Sequence, residues 1–173
     1  MTPTELDALY AFLVAAAVAA LLTPLTIRLA RRVGAIDQPR ERGLSDRETP
    51  RLGGLAIFVA AAVAGVIWLP HSGPWAGILL AATLITLVGA LDDRFDFHPL
   101  VKLIGQIAAA VIAVAVGGVH VQSITLPLVG ALNFPNAGPA LAAVGLVGMM
   151  NVVNFSDGVD GLAAGVCAIV GIA

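Results

Sequence analysis

Four oxygen-bearing side chains recur at steps of three in "NVVNFSDGVDG" (151–161): Asn151, Asn154, Asp157 and Asp160. They follow directly on the apolar run "ALAAVGLVGMM". A second acidic group, Asp92 and Asp93 in "LDDRFD", ends another apolar run. Carboxylate and amide oxygens are hard ligands. Mg²⁺ in particular is usually held by one or two carboxylates together with the phosphates of a substrate. The carboxyl end of a helix is negative, so each aspartate placed there costs about 0.3–1 kcal/mol before the pair's mutual repulsion is added. A divalent cation would remove both penalties. Taken alone, Asp92 and Asp93 are equally well explained as a solvated loop that stops a helix.

The four residues of the second group do not share one helical face, because a step of three falls about 60° short of a full turn. The two Asp-Gly pairs in "SDGVDG" are turn signals. The expected geometry is a helix ending near Asn154 or Phe155, then a turn carrying Asp157, with Asp160 placed to cap the next helix. Asn151 and Asn154 lie near the end of an apolar helix, where amides must find partners and usually face a bundle interior or a cavity. Lys102 and Gln106 are one helical turn apart. Lys102 either snorkels to the membrane surface or points inward at a phosphate. "TPRLGG" (49–54) combines a proline-fixed entry, Arg51, and two glycines, Gly53 and Gly54, that let a backbone or ligand approach closely. His98 is a lone histidine, and Cys167 sits in an apolar run as a small core residue.

These residues need elements to position them, and the composition says which. Of 173 residues, 59% are hydrophobic and 12% charged, where a soluble domain is nearer a quarter charged. The chain reads as an all-α, polytopic transmembrane helical bundle. The net charge of −2 suggests no nucleic-acid partner. A membrane-crossing helix takes about 17–25 mainly apolar residues. Five segments qualify: 8–27, 53–69, 75–91, 100–118 and 138–155. A sixth, 161–173, is too short to cross, so residues 1–173 read as one integral-membrane domain at the N-terminal end of a longer protein. The connection 119–136 has β-branched residues in partial alternation, a short outer hairpin interrupted by Pro127 and Gly130.

All nine cations lie in or beside the connections between spans one and two and between spans three and four. The positive-inside bias makes that side cytoplasmic and puts the N-terminus outside. The acidic motifs then converge on the cytoplasmic surface of a multi-pass protein of the plasma (inner) membrane.

Together, "DQPRERGLSDRETPRLGG", "LDDRFDFHPLVKLIGQ" and "NVVNFSDGVDGLAAG", in this order between apolar spans, resemble the polyprenyl-phosphate N-acetylhexosamine-1-phosphate transferases, glycosyltransferase family 4. The resemblance runs along essentially the whole chain. It implies transfer of a sugar 1-phosphate from a UDP-sugar to a polyprenyl phosphate, releasing UMP, for cell-wall or surface-polymer synthesis. Mg²⁺ is the implied cofactor, with Mn²⁺ as its substitute, and a homodimer is the oligomer allowed for. By this resemblance Asp92, Asp93, Asp157 and Asp160 are catalytic, and Asp92, Asp93, Asn154 and Asp157 hold the metal. Thr49, Arg51, Gly53, Gly54, Lys102, Gln106 and Asn151 bind substrate, with Pro50 in the nucleotide-side loop. "DDRFD" with "TPRLGG" is closer to the N-acetylglucosamine branch than to the muramoyl-pentapeptide branch, which implies UDP-N-acetylglucosamine as donor. Members often carry a basic residue and a histidine where this chain has Gly43 and Ser45. Later metal and histidine motifs of the family are expected after residue 173, so this chain alone is expected to be inactive.

Two other classes compete. "DDRFD" is also Asp-Asp-x-x-Asp, a diphosphate–Mg²⁺ pattern of membrane prenyltransferases, but "SDGVDG" fits that class poorly. An ion-coupled transporter would place its carboxylates near mid-membrane, and here they stand at helix ends.

Overall fold

The computed structural model describes residues 3–37, 48–69, 73–126, 130–156 and 162–172. The elements run α1 (Pro3–Val33), β1 (Ile36–Asp37), β2 (Thr49–Pro50), α2 (Gly53–Trp68), α3 (Gly73–Phe95), α4 (Pro99–Ala115), β3 (Ser123–Leu126), β4 (Gly130–Asn133), α5 (Gly138–Ser156) and α6 (Leu162–Ile172). Each apolar run has become a helix, as lipid demands, because only a helix or closed barrel satisfies its own backbone there. The protein is a helical membrane protein. Helices form at all five expected spans and at the sixth. By length and composition, Leu6–Val33, Gly73–Phe95 and Gly138–Ser156 suffice to cross a membrane. The apolar helices α2 and α4, at 16 and 17 residues, are shorter.

α1 is longer than its apolar run predicts, 31 residues with Pro24 inside. The hydroxyls of Thr23 and Thr26 beside the proline bond back to the carbonyls of Ala19 and Thr23, at 2.7 and 2.9 Å. The helix continues through Arg31 and Arg32 and stops at Gly34, whose φ of 75° is open to glycine at little cost. The Ala35 N–H then reaches back to the Ala30 carbonyl at 2.9 Å, closing a Schellman motif.

Two compact units divide the chain, residues 1–118 and 119–173. The first holds α1 to α4. Ala30, Ala35 and Leu52 are buried together, with Leu55 and Ala90 packed on them. This cluster joins the end of α1, the start of α2 and the last turns of α3. The short strands β1 and β2 clip the same end, pairing Ile36 with Pro50 and Asp37 with Thr49, and the Arg51 N–H donates to the Ala35 carbonyl at 3.1 Å. The composition gave no signal for this clip. The other buried positions of this unit are small: Ala56, Ala60, Ala64 and Gly65 on α2, Gly77 and Ala81 on α3, Ala109, Ala110 and Ala113 on α4, and Gly117 just after it. With no hydrophobic force between helices in lipid, small residues let backbones close on one another. A methyl on Gly77 would strike the backbone of Gly117, and one on Gly105 would lie 2.9 Å from Val88 Cγ1.

In the second unit β3 and β4 form an antiparallel hairpin with Ser123 opposite Asn133 and Leu126 opposite Gly130. This is the hairpin expected after the fourth span; its 127–129 tip, with Pro127, lies outside the described residues. Its base is tied to α5. The Val121 N–H donates to the Gly138 carbonyl at 3.2 Å, and the Gly138 N–H donates to the Phe134 carbonyl at 3.0 Å.

Candidate functional site

Asp92 and Asp93 occupy the last turn of α3, both half-buried. The helix ends in an αL cap. The Asp96 N–H donates to the Asp92 carbonyl at 2.8 Å, and Asp96 itself takes φ 49°. A short polar side chain is among the few that visit this region. The next N–H, of Phe97, donates to Asp92 Oδ1 at 2.9 Å. Phe97 stacks on Phe95 with centroids 6.2 Å apart, and the Arg94 guanidinium lies 5.4 Å from the Phe95 ring centre.

α4 starts three residues later. Pro99 fills its first position, and His98 caps it by accepting the Leu100 N–H on Nδ1 at 3.3 Å. That cap is the role of the lone histidine. The tight corner brings the first turn of α4 beside the last turn of α3. Lys102 Nζ reaches Asp92 Oδ2 at 2.9 Å, with the two side chains 33% and 22% exposed. The sequence left Lys102 between snorkelling and facing inward; the corner gives it to Asp92. Gln106 follows one turn along α4, half-buried.

The start of α2 stands at the same end of the first unit, through the packing of Leu52 and Ala90 on Ala30 and Ala35. Arg51 is half-buried and Thr49 exposed. Leu52 supplies no side-chain cap, and the first turn of α2 carries no acidic residue. Its positive dipole end is therefore not offset by a carboxylate of its own turn. Added Cβ atoms on Gly53 and Gly54 would meet nothing within 4 Å.

α5, in the second unit, carries Asn151 and Asn154 in its last two turns. Asn151 is half-buried, and its Nδ2 donates to the Val147 carbonyl at 2.8 Å. Asn154 is exposed. α5 runs on to Ser156, one residue past the expected end, with Ser156 Oγ bonded to the Val152 carbonyl at 2.9 Å. Asp157 and Asp160 lie outside the described residues, as do Gly43 and Ser45. Among the described residues no three or more His, Cys, Asp or Glu side chains cluster as a metal site. The donor type at the α3–α4 corner nonetheless fits Mg²⁺, which needs only one or two carboxylates when a substrate phosphate completes its shell.

No solved structure matches the chain. Curated sequences do. The chain is 34% identical to a Bacillus subtilis protein named "Probable undecaprenyl-phosphate N-acetylglucosaminyl 1-phosphate transferase", over 92% of this chain and 45% of that protein. It is 38% identical to the decaprenyl-phosphate N-acetylglucosaminephosphotransferase of Mycobacterium leprae, over 93% of this chain and 43% of that protein. It is 34% identical to a phospho-N-acetylmuramoyl-pentapeptide-transferase of Mycolicibacterium paratuberculosis, over 94% of this chain and 54% of that protein. The chain thus spans about half the length of these relatives or somewhat less. The sequence model described as "Glycosyl transferase family 4" matches residues 75–173, more than half of the chain, from the start of α3 to the last residue. A family match that takes in the aspartate pair, Lys102 and both asparagines, with relatives similar over nearly the whole chain, leads to one conclusion: the chain belongs to glycosyl transferase family 4.

Proposed function

We propose that the protein transfers N-acetylglucosamine 1-phosphate from UDP-N-acetylglucosamine to a polyprenyl phosphate and releases UMP, at the cytoplasmic face of the plasma membrane. The observation that carries this reading is the α3–α4 corner: two half-buried carboxylates on one helix end, with the Lys102 ammonium against Asp92. Two of the relatives named above are N-acetylglucosamine phosphate transferases by name, which supports the branch.

In the reaction an oxygen of the lipid phosphate bonds to the β-phosphorus of the nucleotide sugar. The bond from that phosphorus to the oxygen bridging to the α-phosphate breaks, and UMP departs with the electron pair. Two anions must meet, so positioning and charge neutralisation do most of the work. A bound Mg²⁺ would neutralise charge on the diphosphate. Asp93, Asn154 and Asp157 are the oxygen ligands proposed for it, with Asp92 next to Asp93 at the end of α3. Lys102 and Arg51 offset phosphate charge. Gly53 and Gly54 leave room for a ligand to reach the amino end of α2, where N–H groups and dipole favour an anion. Thr49, Gln106 and Asn151 supply polar contacts to substrate. A phosphate monoester has a second pKa of about 6, so an aspartate base orients the acceptor more than it deprotonates it. Asp160 is assigned to the reaction centre.

The test is isotope exchange in the full-length protein. With the lipid-linked product present, radiolabelled UMP should enter UDP-N-acetylglucosamine. A prenyltransferase would show no exchange and would release diphosphate instead. Exchange only into the UDP-linked muramoyl pentapeptide would keep the family and move the protein to the other branch.

A further inference from the structure

Asp92 is committed to the corner. Its carbonyl accepts the Asp96 N–H at 2.8 Å, its Oδ1 accepts the Phe97 N–H at 2.9 Å, and its Oδ2 meets Lys102 Nζ at 2.9 Å. One residue thus ends α3, sets the turn, and holds the first charged side chain of α4. Binding a metal through Oδ2 would release the ammonium. Binding through Oδ1 would strip an acceptor from the Phe97 N–H.

The two carboxylate oxygens need different chemistry. Capping Phe97 requires only an acceptor, which an amide or hydroxyl oxygen supplies as well. The negative charge matters only toward Lys102. A partly exposed pair of this kind contributes only about 0–1 kcal/mol to stability, so folding gives it little reason to be charged. What the charge does is fix an ammonium that otherwise swings on a four-carbon stem. An ammonium has three N–H donors; the bond to Asp92 takes one and leaves two for phosphate oxygens.

We infer that Asp92 is a positioning residue that works through Lys102, aiming the ammonium at the phosphate of the lipid acceptor, and that the metal is held by other ligands. The inference rests on the transferase reading for the identity of the phosphate. The division of labour between the two aspartates is tested separately.

The experiment uses the full-length protein in lipid vesicles and four variants: Asp92→Asn, Asp93→Asn, Lys102→Met and the double variant Asp92→Asn/Lys102→Met. Mn²⁺ binding is followed by electron paramagnetic resonance with UDP-N-acetylglucosamine present, and KM for polyprenyl phosphate and kcat are measured in parallel. Asp92→Asn should leave the Mn²⁺ isotherm in place and raise KM for the lipid about tenfold, as Lys102→Met does, and the double variant should be no worse than Lys102→Met alone. Asp93→Asn should weaken Mn²⁺ binding. Weakened Mn²⁺ binding in Asp92→Asn, or losses that multiply in the double variant, would overturn the assignment. If Asp92→Asn does not fold, Asp92→Ser takes its place, since a hydroxyl also accepts the Phe97 N–H. A wild type that binds Mn²⁺ but transfers nothing would remove the transferase reading, while the Mn²⁺ isotherms of the two aspartate variants would still decide between them.

Discussion

Asp96 carries a side chain where a helix ends in the left-handed region, at φ 49°. For an L-residue that conformation costs roughly 1 kcal/mol, and glycine escapes it. Asp96→Gly should therefore raise the thermal midpoint slightly. Asp96→Val should lower it by more, because a branched side chain tolerates the region worst. A calorimetric scan of the two variants checks the sign of each. The carboxylates proposed for the reaction follow a different rule. Asparagine in place of Asp93 or Asp157 keeps the shape and removes the charge. In the full-length enzyme kcat should fall at least ~100-fold, about 2.7 kcal/mol of transition-state stabilisation. Asp160→Asn should be milder where capping dominates, because asparagine caps a helix about as well as aspartate. An equally deep loss at Asp160 would place it among the reacting groups.

The four helices of the first unit are held by glycine and alanine, and the seam between α3 and α4 makes a graded prediction. Gly77 faces the backbone of Gly117, which cannot yield, so Gly77→Ala should unfold the pair or sharply reduce insertion. Gly105 faces the methyls of Val88, which can shift by a few tenths of an ångström, so Gly105→Ala should be tolerated at some cost in stability. Gly89, with nothing within 4 Å of an added Cβ, should accept alanine and gain about 0.5–1 kcal/mol of helix propensity. Thermal melts in detergent should rank the three in that order. The helices themselves were readable, because a run of about 20 apolar residues has few other fates in a membrane. The end of α1 was not. Arg31 and Arg32 end a hydrophobic run but not a helix, since arginine is a good helix former; Gly34 was the true stop. The β1–β2 clip left no trace because strands of two residues carry no periodicity. The acidic pair was legible as candidate chemistry. Its bond to Lys102 was not, because that contact depends on a three-residue corner between helices rather than on spacing along one of them.

At the scale of the whole molecule the orientation is the first quantity to measure. With Cys167 replaced by serine, a cysteine at Ser45 should react only with a reagent applied from the cytoplasm, and one at Ser123 only from outside. The reverse pattern would separate the acidic motifs from a cytosolic nucleotide. A further consequence lies in the unequal lengths of the helices. α2, at 16 residues, and α4, at 17, rise only ~24 and ~26 Å, against about 30 Å of hydrocarbon in a typical bilayer. The 28-residue stretch of α1 has length to spare and takes up a mismatch by tilting. α2 and α4 have none. They are also the two helices whose amino ends carry the basic groups of the site, Arg51 just before α2 and Lys102 in the first turn of α4. A thicker bilayer would draw those cations toward the acyl chains, where each costs up to about 2.5–3.5 kcal/mol at the centre. A thinner one would leave them among the headgroups, at the level of a lipid phosphate. The acyl-chain length of the host membrane should therefore tune turnover, with short-chain vesicles giving the faster enzyme.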